Sequence, residues 1–257
     1  IGSDEVFSIP VGVNIMMYGH GLSTDKAFSY APSFGQTDIE LLKKRNCENL
    51  VSSGIKNLLA NSARDEHTAN LIKTFTGKDI PIVCDPAILF NFANTKSGIK
   101  KYSVKYLLVY SYDRWMVERS EIAAIKMYAK KKGLKILSVG TYHKWCDKNI
   151  VCNCIEWIDY FRYAEGVVTD TFHGLILSII AQKKVGVYIR EENKNKLTDL
   201  LCKAKLSEQR MNEISTDELE RVLEHEIDYD IVNKEISELR EESLKFLEAS
   251  LDLCFKN

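Results

Sequence analysis

The sequence is short of the residues that interrupt regular structure, with four prolines and thirteen glycines in 257 residues. That scarcity leaves room for long helices and strands. It has no excess of either charge: 35 Lys and Arg stand against 36 Asp and Glu, a formal net charge of -1. Such balance excludes general electrostatic binding to nucleic acid or anionic membrane and leaves only a local basic pocket. No apolar run approaches the roughly 18–20 residues of a membrane span, and there is no internal repeat, low-complexity tract or signal-peptide pattern. The seven cysteines are an odd number scattered through the chain. They read as reduced thiols, which points to the cytoplasm. Methionine is missing from the first position, where Ile1-Gly2-Ser3-Asp4 stands instead. What is present is a 45% apolar share with 28% charge. That is enough for a packed core, excludes disorder, and suits one large or two small domains.

Strand and helix patterns alternate. Short apolar strands are expected at 27–31, 59–63 and 80–84, with helices at 48–58 and 65–75. Residues 91–103 are poor in large apolar side chains and read as a linker. A second run follows: strand 106–111, helix 117–132, strand 134–139, helix 155–163, strand 166–170, helix 172–181 and strand 185–189. This alternation implies parallel sheets covered by helices on both faces. Towards the C-terminus, Ser215 and Glu218 have the form of a capping box. Leu219, Val222 and Leu223, then Ile236, Leu239, Phe246, Leu247 and Leu251, form helical stripes. The expected domains are 1–95, 96–214 and a helical 215–257 packing on both, with a cleft between the first two.

The strongest chemical signal is Val167-Val168-Thr169-Asp170-Thr171-Phe172-His173-Gly174, an apolar strand turning abruptly into a helix. Ligands of open parallel sheets bind beyond the carboxyl ends of the strands. There His173 would stand in a first helical turn, beside unpaired N–H groups and the positive end of the helix dipole. An anion is welcome at such a place, and an imidazole can exchange a proton with it. The alternative makes Asp170 or Thr171 a helix cap and His173 a packed residue. Leu58 to Glu66 forms a second strand-to-helix corner, with Arg64 at the turn. Its guanidinium could fork onto a phosphate or carboxylate, or pair with Asp65, Glu66 or Asp85 to fix the turn. An Arg corner and a His corner from different domains suggest one shared anionic ligand.

Other features carry less. Tyr18-Gly19-His20-Gly21 lacks the third glycine and preceding strand of a dinucleotide fingerprint and reads as a plain loop. His143, Cys146, Cys152 and Cys154 match structural zinc patterns poorly, since no second close pair accompanies the Cys-x-Cys spacing. Arg162 and Arg190 are expected to be solvated, although Arg190 follows a strand and could face the cleft. Lys130-Lys131-Lys132 reads as an exposed helix end, favourable to the dipole.

Taken in order, the motifs resemble the polysaccharide pyruvyl transferases. The likeness rests on Ile1 to Phe7; Ser29-Tyr30-Ala31-Pro32-Ser33-Phe34-Gly35; Ser62-Ala63-Arg64-Asp65 with Cys84-Asp85-Pro86; and Glu156-Trp157-Ile158 through Thr169-Asp170-Thr171-Phe172-His173-Gly174. Asn195 to Leu201 and Arg210 resemble the family's later region. The order and spacing of these blocks are more specific than any one of them.

The resemblance implies two Rossmann-like domains similar to the GT-B glycosyltransferases, the first incomplete at its start, with earlier strand–helix units expected upstream. It implies transfer of pyruvate from phosphoenolpyruvate to a sugar of a cell-surface polysaccharide or exopolysaccharide, giving a cyclic ketal and releasing phosphate. No cofactor or metal is implied, and the acceptor would be a glycan or lipid-linked sugar. By position, Arg64 would hold the donor's phosphate or carboxylate, and His173 would bind the donor and act as general acid. Thr171, Phe172, Asp4 and Ser33 are further substrate-binding candidates, with a capping role for Asp4 as the alternative. Some members carry Arg two residues before the histidine, where this chain has Thr171; backbone amides near Phe172 and His173 would take that share. An acid with a pKa near neutrality suits protonation of the enol carbon, and fixed positive groups suit the departing phosphate. Two alternatives remain open, a sugar-nucleotide glycosyltransferase and a non-catalytic sugar- or anion-binding protein.

Overall fold

A computed structural model describes residues 1–10, 12–90, 92, 95, 98 and 104–255. Apart from Phe92, Thr95 and Gly98, the expected linker at 91–103 lies outside the described residues. The chain divides into two units, one of residues 1–90 with 234–257 and one of residues 91–233.

The second unit is built on a six-stranded sheet in the order β3-β2-β1-β4-β5-β6. The strands are β1 (Tyr106–Tyr110), β2 (Lys135–Val139), β3 (Lys148–Ile150), β4 (Gly166–Thr169), β5 (Val185–Tyr188) and β6 (Arg210–Met211). Every pairing is parallel. The four residues of β4 and all five of β1 are buried, as expected of strands covered on both faces. On one face lie α5 (Arg119–Lys132) and α9 (Thr216–Glu224), whose Ile125, Leu219, Val222 and Leu223 share a core with Leu107, Val109 and Val168. Gly186 permits this approach, because a Cβ there would stand 2.9 Å from a Val222 methyl. The other face carries α6 (Cys154–Tyr163) and α7 (Phe172–Ile180), with Trp157 and Phe161 edge-on to Tyr110. Next in the chain is α8 (Lys194–Lys203), which buries Leu197, Leu200 and Leu201.

The first unit contains α1 (Ile39–Lys44), α2 (Glu48–Asn57), α3 (Glu66–Thr76) and the short α4 (Pro86–Leu89). The strands expected at 27–31, 59–63 and 80–84 are extended segments and not ladders, with one isolated parallel bridge, Ala63 with Ile82, between the last two. Backbone bonds run from Ser29 N–H to Ala60 O, Ala63 N–H to Pro81 O and Val83 N–H to Ala63 O. Pro32 and Pro81 bring no N–H to a ladder. Between the segments the Ser62 hydroxyl substitutes for backbone, accepting from Ala31 N–H and donating to Ser29 O. The core here gathers Phe7, Phe34, Val51, Ile55, Ile72 and Phe75.

The last helix, α10 (Tyr229–Phe255), is pinned at its first turn in the second unit, where the Tyr229 hydroxyl donates to Lys183 O at 2.7 Å. Further along, in the first unit, the Ser243 hydroxyl accepts from Cys84 N–H at 2.8 Å. Of the capping box expected at α9, one half forms: Ser215 accepts from Glu218 N–H, while Glu218 turns to Asn212 N–H and Arg221.

Candidate functional site

In the second unit the strand order reverses between β1 and β4. Such a reversal opens a crevice at the carboxyl ends of the two strands, where α/β proteins bind ligands. Tyr110 and Thr169, the last residues of β1 and β4, are in register, and the Thr169 hydroxyl donates to Tyr110 O at 2.6 Å. The same oxygen accepts from Thr171 N–H at 3.1 Å and lies 3.0 Å from the Thr171 hydroxyl oxygen. Thr171 is the N-cap of α7, accepting from Gly174 N–H at 3.0 Å. Residue 174 has to be glycine, since a Cβ would fall 2.0 Å from the Thr169 hydroxyl oxygen and 2.8 Å from that of Thr171.

His173 therefore sits in the first turn of α7 at the crevice, half-buried, its ring edge-on to Phe172 at 5.8 Å. Phe172 and Thr171 are themselves buried. The helix dipole and the start of α7 favour negative charge at this corner.

Asp170 is fully buried, and it does not cap the helix. Its carboxylate accepts from Arg190 Nε at 2.7 Å, and its carbonyl accepts from the Asn193 amide. Burial pushes the Asp170 carboxyl up to about 6, with Arg190 pulling in the opposite direction. Arg190 also reaches Glu121 at 3.3 Å. Its guanidinium lies over Tyr188 at 5.0 Å and Trp115 at 5.6 Å. The loop after β1 adds Arg114, over Tyr112 at 5.0 Å and Trp115 at 5.1 Å. Thus Arg190 is not a solvated arginine, because a buried carboxylate draws it in. Arg162 is likewise engaged, with Asp159 and the carbonyls of Phe92 and Thr95.

In the first unit Arg64 closes its own corner. Its side chain is 2% exposed and bonds Asp85 at 3.0 Å and Asp4 at 2.8 Å. Asp85 is 4% exposed and Asp4 56% exposed, so Asp4 is the partner that a ligand could replace. Asp65 caps α3 through Thr68 N–H and accepts from the Ser33 hydroxyl at 2.6 Å. Ser33 Oγ also accepts from Gly35 N–H. Its hydroxyl is buried and committed within the unit.

The glycine turn at 18–21 is structural. The Tyr18 hydroxyl donates to Phe7 O, and the His20 ring meets Leu50 O at 2.7 Å. His143 is buried, with its ring 3.2 Å from Ser111 O. Among the described residues no three His, Cys, Asp or Glu gather as a metal site requires. No helix among them is long and apolar enough to cross a membrane. Sequence reasoning missed Ser111, Tyr112, Arg114, Trp115 and Glu121 at this end of the sheet. Their signal was position, for the first four directly follow the strand on the far side of the reversal.

A parallel α/β unit with polar residues at its strand reversal is an architecture that binds ligands at that place. The family model for polysaccharide pyruvyl transferase matches residues 9–190. The chain belongs to that family and is a transferase. No curated protein matches. Among solved structures, the glycosyltransferase SnogD from Streptomyces nogalater is similar at a TM-score of 0.39 and 8% identity, over 94% of this chain and 83% of that one. A likeness that distant adds nothing to what the strand order establishes.

Proposed function

We propose that this chain moves pyruvate from phosphoenolpyruvate onto two hydroxyls of a polysaccharide sugar, forming a cyclic ketal and releasing phosphate. The reading is carried by family membership over residues 9–190 together with a histidine in the first turn of α7 at the strand reversal. His173 protonates the methylene carbon of the enol, and the electron pair of the double bond forms the new C–H bond. The adjacent carbon becomes oxocarbenium-like, and a sugar hydroxyl adds to it and loses its proton. Phosphate then departs with the electron pair of its C–O bond, and a second hydroxyl adds to the oxocarbenium-like carbon and closes the ring, its proton passing to the phosphate. Positive potential at the start of α7 favours the donor's anionic groups.

In this reading Thr171 and Phe172 shape the donor corner. Arg64 takes a donor anion by exchanging Asp4 for it, or otherwise orients Asp4 towards an acceptor hydroxyl. The reaction suits a cytoplasmic enzyme that meets glycan or lipid-linked acceptors before export.

The test is phosphate release from phosphoenolpyruvate over a panel of acceptor glycans. His173→Ala is expected to lower kcat by about 100-fold or more, the usual worth of a positioned acid. Turnover unchanged in that variant removes the acid role. A nucleotide requirement would identify a glycosyltransferase instead, and sugar binding without any turnover a binding protein.

A further inference from the structure

The opposite end of the second unit's sheet holds a cavity of about 510 Å³, within the usual range for small-molecule sites. It lies between α5, the turn into β2 and the loop before β3. Its lining includes Lys126, Lys130, Lys135, Trp145, Cys146 and Asp147.

Three observations set it apart. The first is charge. Of its three lysines only Lys135 has a carboxylate partner, Asp147, which lies 3.6 Å away and also accepts from Ile136 N–H at 2.8 Å. Lys126 and Lys130, one helical turn apart, make no ion pair among the described residues. Burial pushes the Cys146 thiol up to about 12, so it adds no charge. The second is an apolar wall, the half-buried Trp145 side chain. The third is that two of the carbonyls at the end of α5 are closed. Leu134 N–H closes on Ala129 O at 2.8 Å and Gly133 N–H on Lys130 O at 3.2 Å, a Schellman closure.

The neighbouring cavity of about 450 Å³ supplies the contrast. Its Lys105, Lys132 and Lys184 are each paired, with Glu165, Glu224 and Glu226. Lys131 is paired too, with Glu220. Of the run 130–132, therefore, two lysines serve α9 and Lys130 alone lines the first cavity.

We propose that this cavity binds a small organic anion, its phosphate or carboxylate set between Lys126 and Lys130 and its apolar body against Trp145. The site is separate from the crevice at the carboxyl ends of the strands and does not depend on the reaction proposed there.

The test is calorimetric titration of the full chain with phenyl phosphate, benzoate and inorganic phosphate. Saturable binding of phenyl phosphate or benzoate is expected, and which of the two binds identifies the headgroup. Lys130→Gln should weaken it about 10-fold and Lys126→Gln/Lys130→Gln further, since each removes a charge-assisted bond. Both side chains are exposed, so these variants should fold, which circular dichroism checks. Trp145→Phe, which keeps an apolar ring, should retain binding and abolish any tryptophan fluorescence response. The proposal is overturned if neither organic probe saturates, if inorganic phosphate binds as tightly as phenyl phosphate, or if binding survives the double Gln variant unchanged.

Discussion

Replacing Gly174 with alanine sets two opposed effects against each other at the His173 corner. Helix propensity alone favours alanine by at most about 1 kcal/mol. Against that, the new methyl would lie 2.0 Å from the Thr169 hydroxyl oxygen, which has no free space because the residue is fully buried. Moving that oxygen breaks its bonds to Tyr110 O and Thr171 N–H. Each is worth about 1 kcal/mol, and a buried carbonyl left unpaired costs about 1–3 kcal/mol. Overpacking adds about 1–3 kcal/mol, so the net expectation is a loss of about 3 kcal/mol. All three tryptophans lie within 91–233, so tryptophan-detected urea unfolding reports the second unit alone. A shift of the midpoint by about 1–2 M is expected. Thr169→Ala removes the closest contact but leaves its Cβ and the Thr171 hydroxyl oxygen at 2.8 Å, so Thr169→Ala/Gly174→Ala should lose less than the two single variants summed, a coupling of about 1–2 kcal/mol. A Gly174→Ala protein more stable than the wild type, or strict additivity in the double variant, would refute the geometry.

Two further tests probe the charged groups. Asp170 has its carboxyl raised to about 6 from 3.8. Between those values the unfolded chain has released a proton that the folded chain keeps, so stability falls as pH rises through this window, by about 3 kcal/mol in order of magnitude. The difference between wild type and Asp170→Asn should therefore change across pH 3.8–6 and stay flat above it; a flat or opposite difference defeats the assignment. In the first unit, Arg64→Met leaves Asp85 buried without its guanidinium and should cost about 3–5 kcal/mol. Asp4→Asn alters the exposed partner and should cost about 0–1 kcal/mol. Thermal melts followed by circular dichroism rank the two, and a reversed order would contradict the corner described here.

Where the sequence was legible, local chemistry and tertiary context agreed. The helix expected at 65–75 is α3, apolar runs became β1 and β4, and the strand-to-helix turn at 169–174 stands where the pattern placed it. β3 and β6 were illegible because Lys148–Ile150 and Arg210–Met211 have no strand signal of their own. They are strands only by pairing with a neighbour already formed. In the first unit the apolar segments were readable and strands were expected, but the ladders are reduced to isolated bridges. Prolines without donors and a serine hydroxyl inserted between segments are decisions of side-chain chemistry rather than periodicity. The cap at α7 fell to Thr171, since Asp170 is drawn away by an arginine twenty residues on. No window of local sequence contains that pairing.

The two corners share a construction that bears on how an anion could be met. In each, one arginine lies between two carboxylates, one deeply buried and one more open: Asp85 and Asp4 around Arg64, Asp170 and Glu121 around Arg190. With every group ionised, each trio carries one negative charge, so neither trio by itself draws an anion from a distance. Proton uptake by Asp170, whose carboxyl titrates near 6, would neutralise its trio as pH falls. In the first unit the equivalent change comes from exchange, because a ligand carboxylate or phosphate that takes the place of Asp4 inherits an arginine already oriented by Asp85. Fixed geometry of this kind costs little reorganisation at the moment of binding, which is the condition for electrostatic stabilisation to be strong. The start of α7 differs from both, for there positive potential comes from the backbone itself and is present before any ligand arrives. That difference is why His173, and not either arginine, is the side chain on which the chemistry is placed.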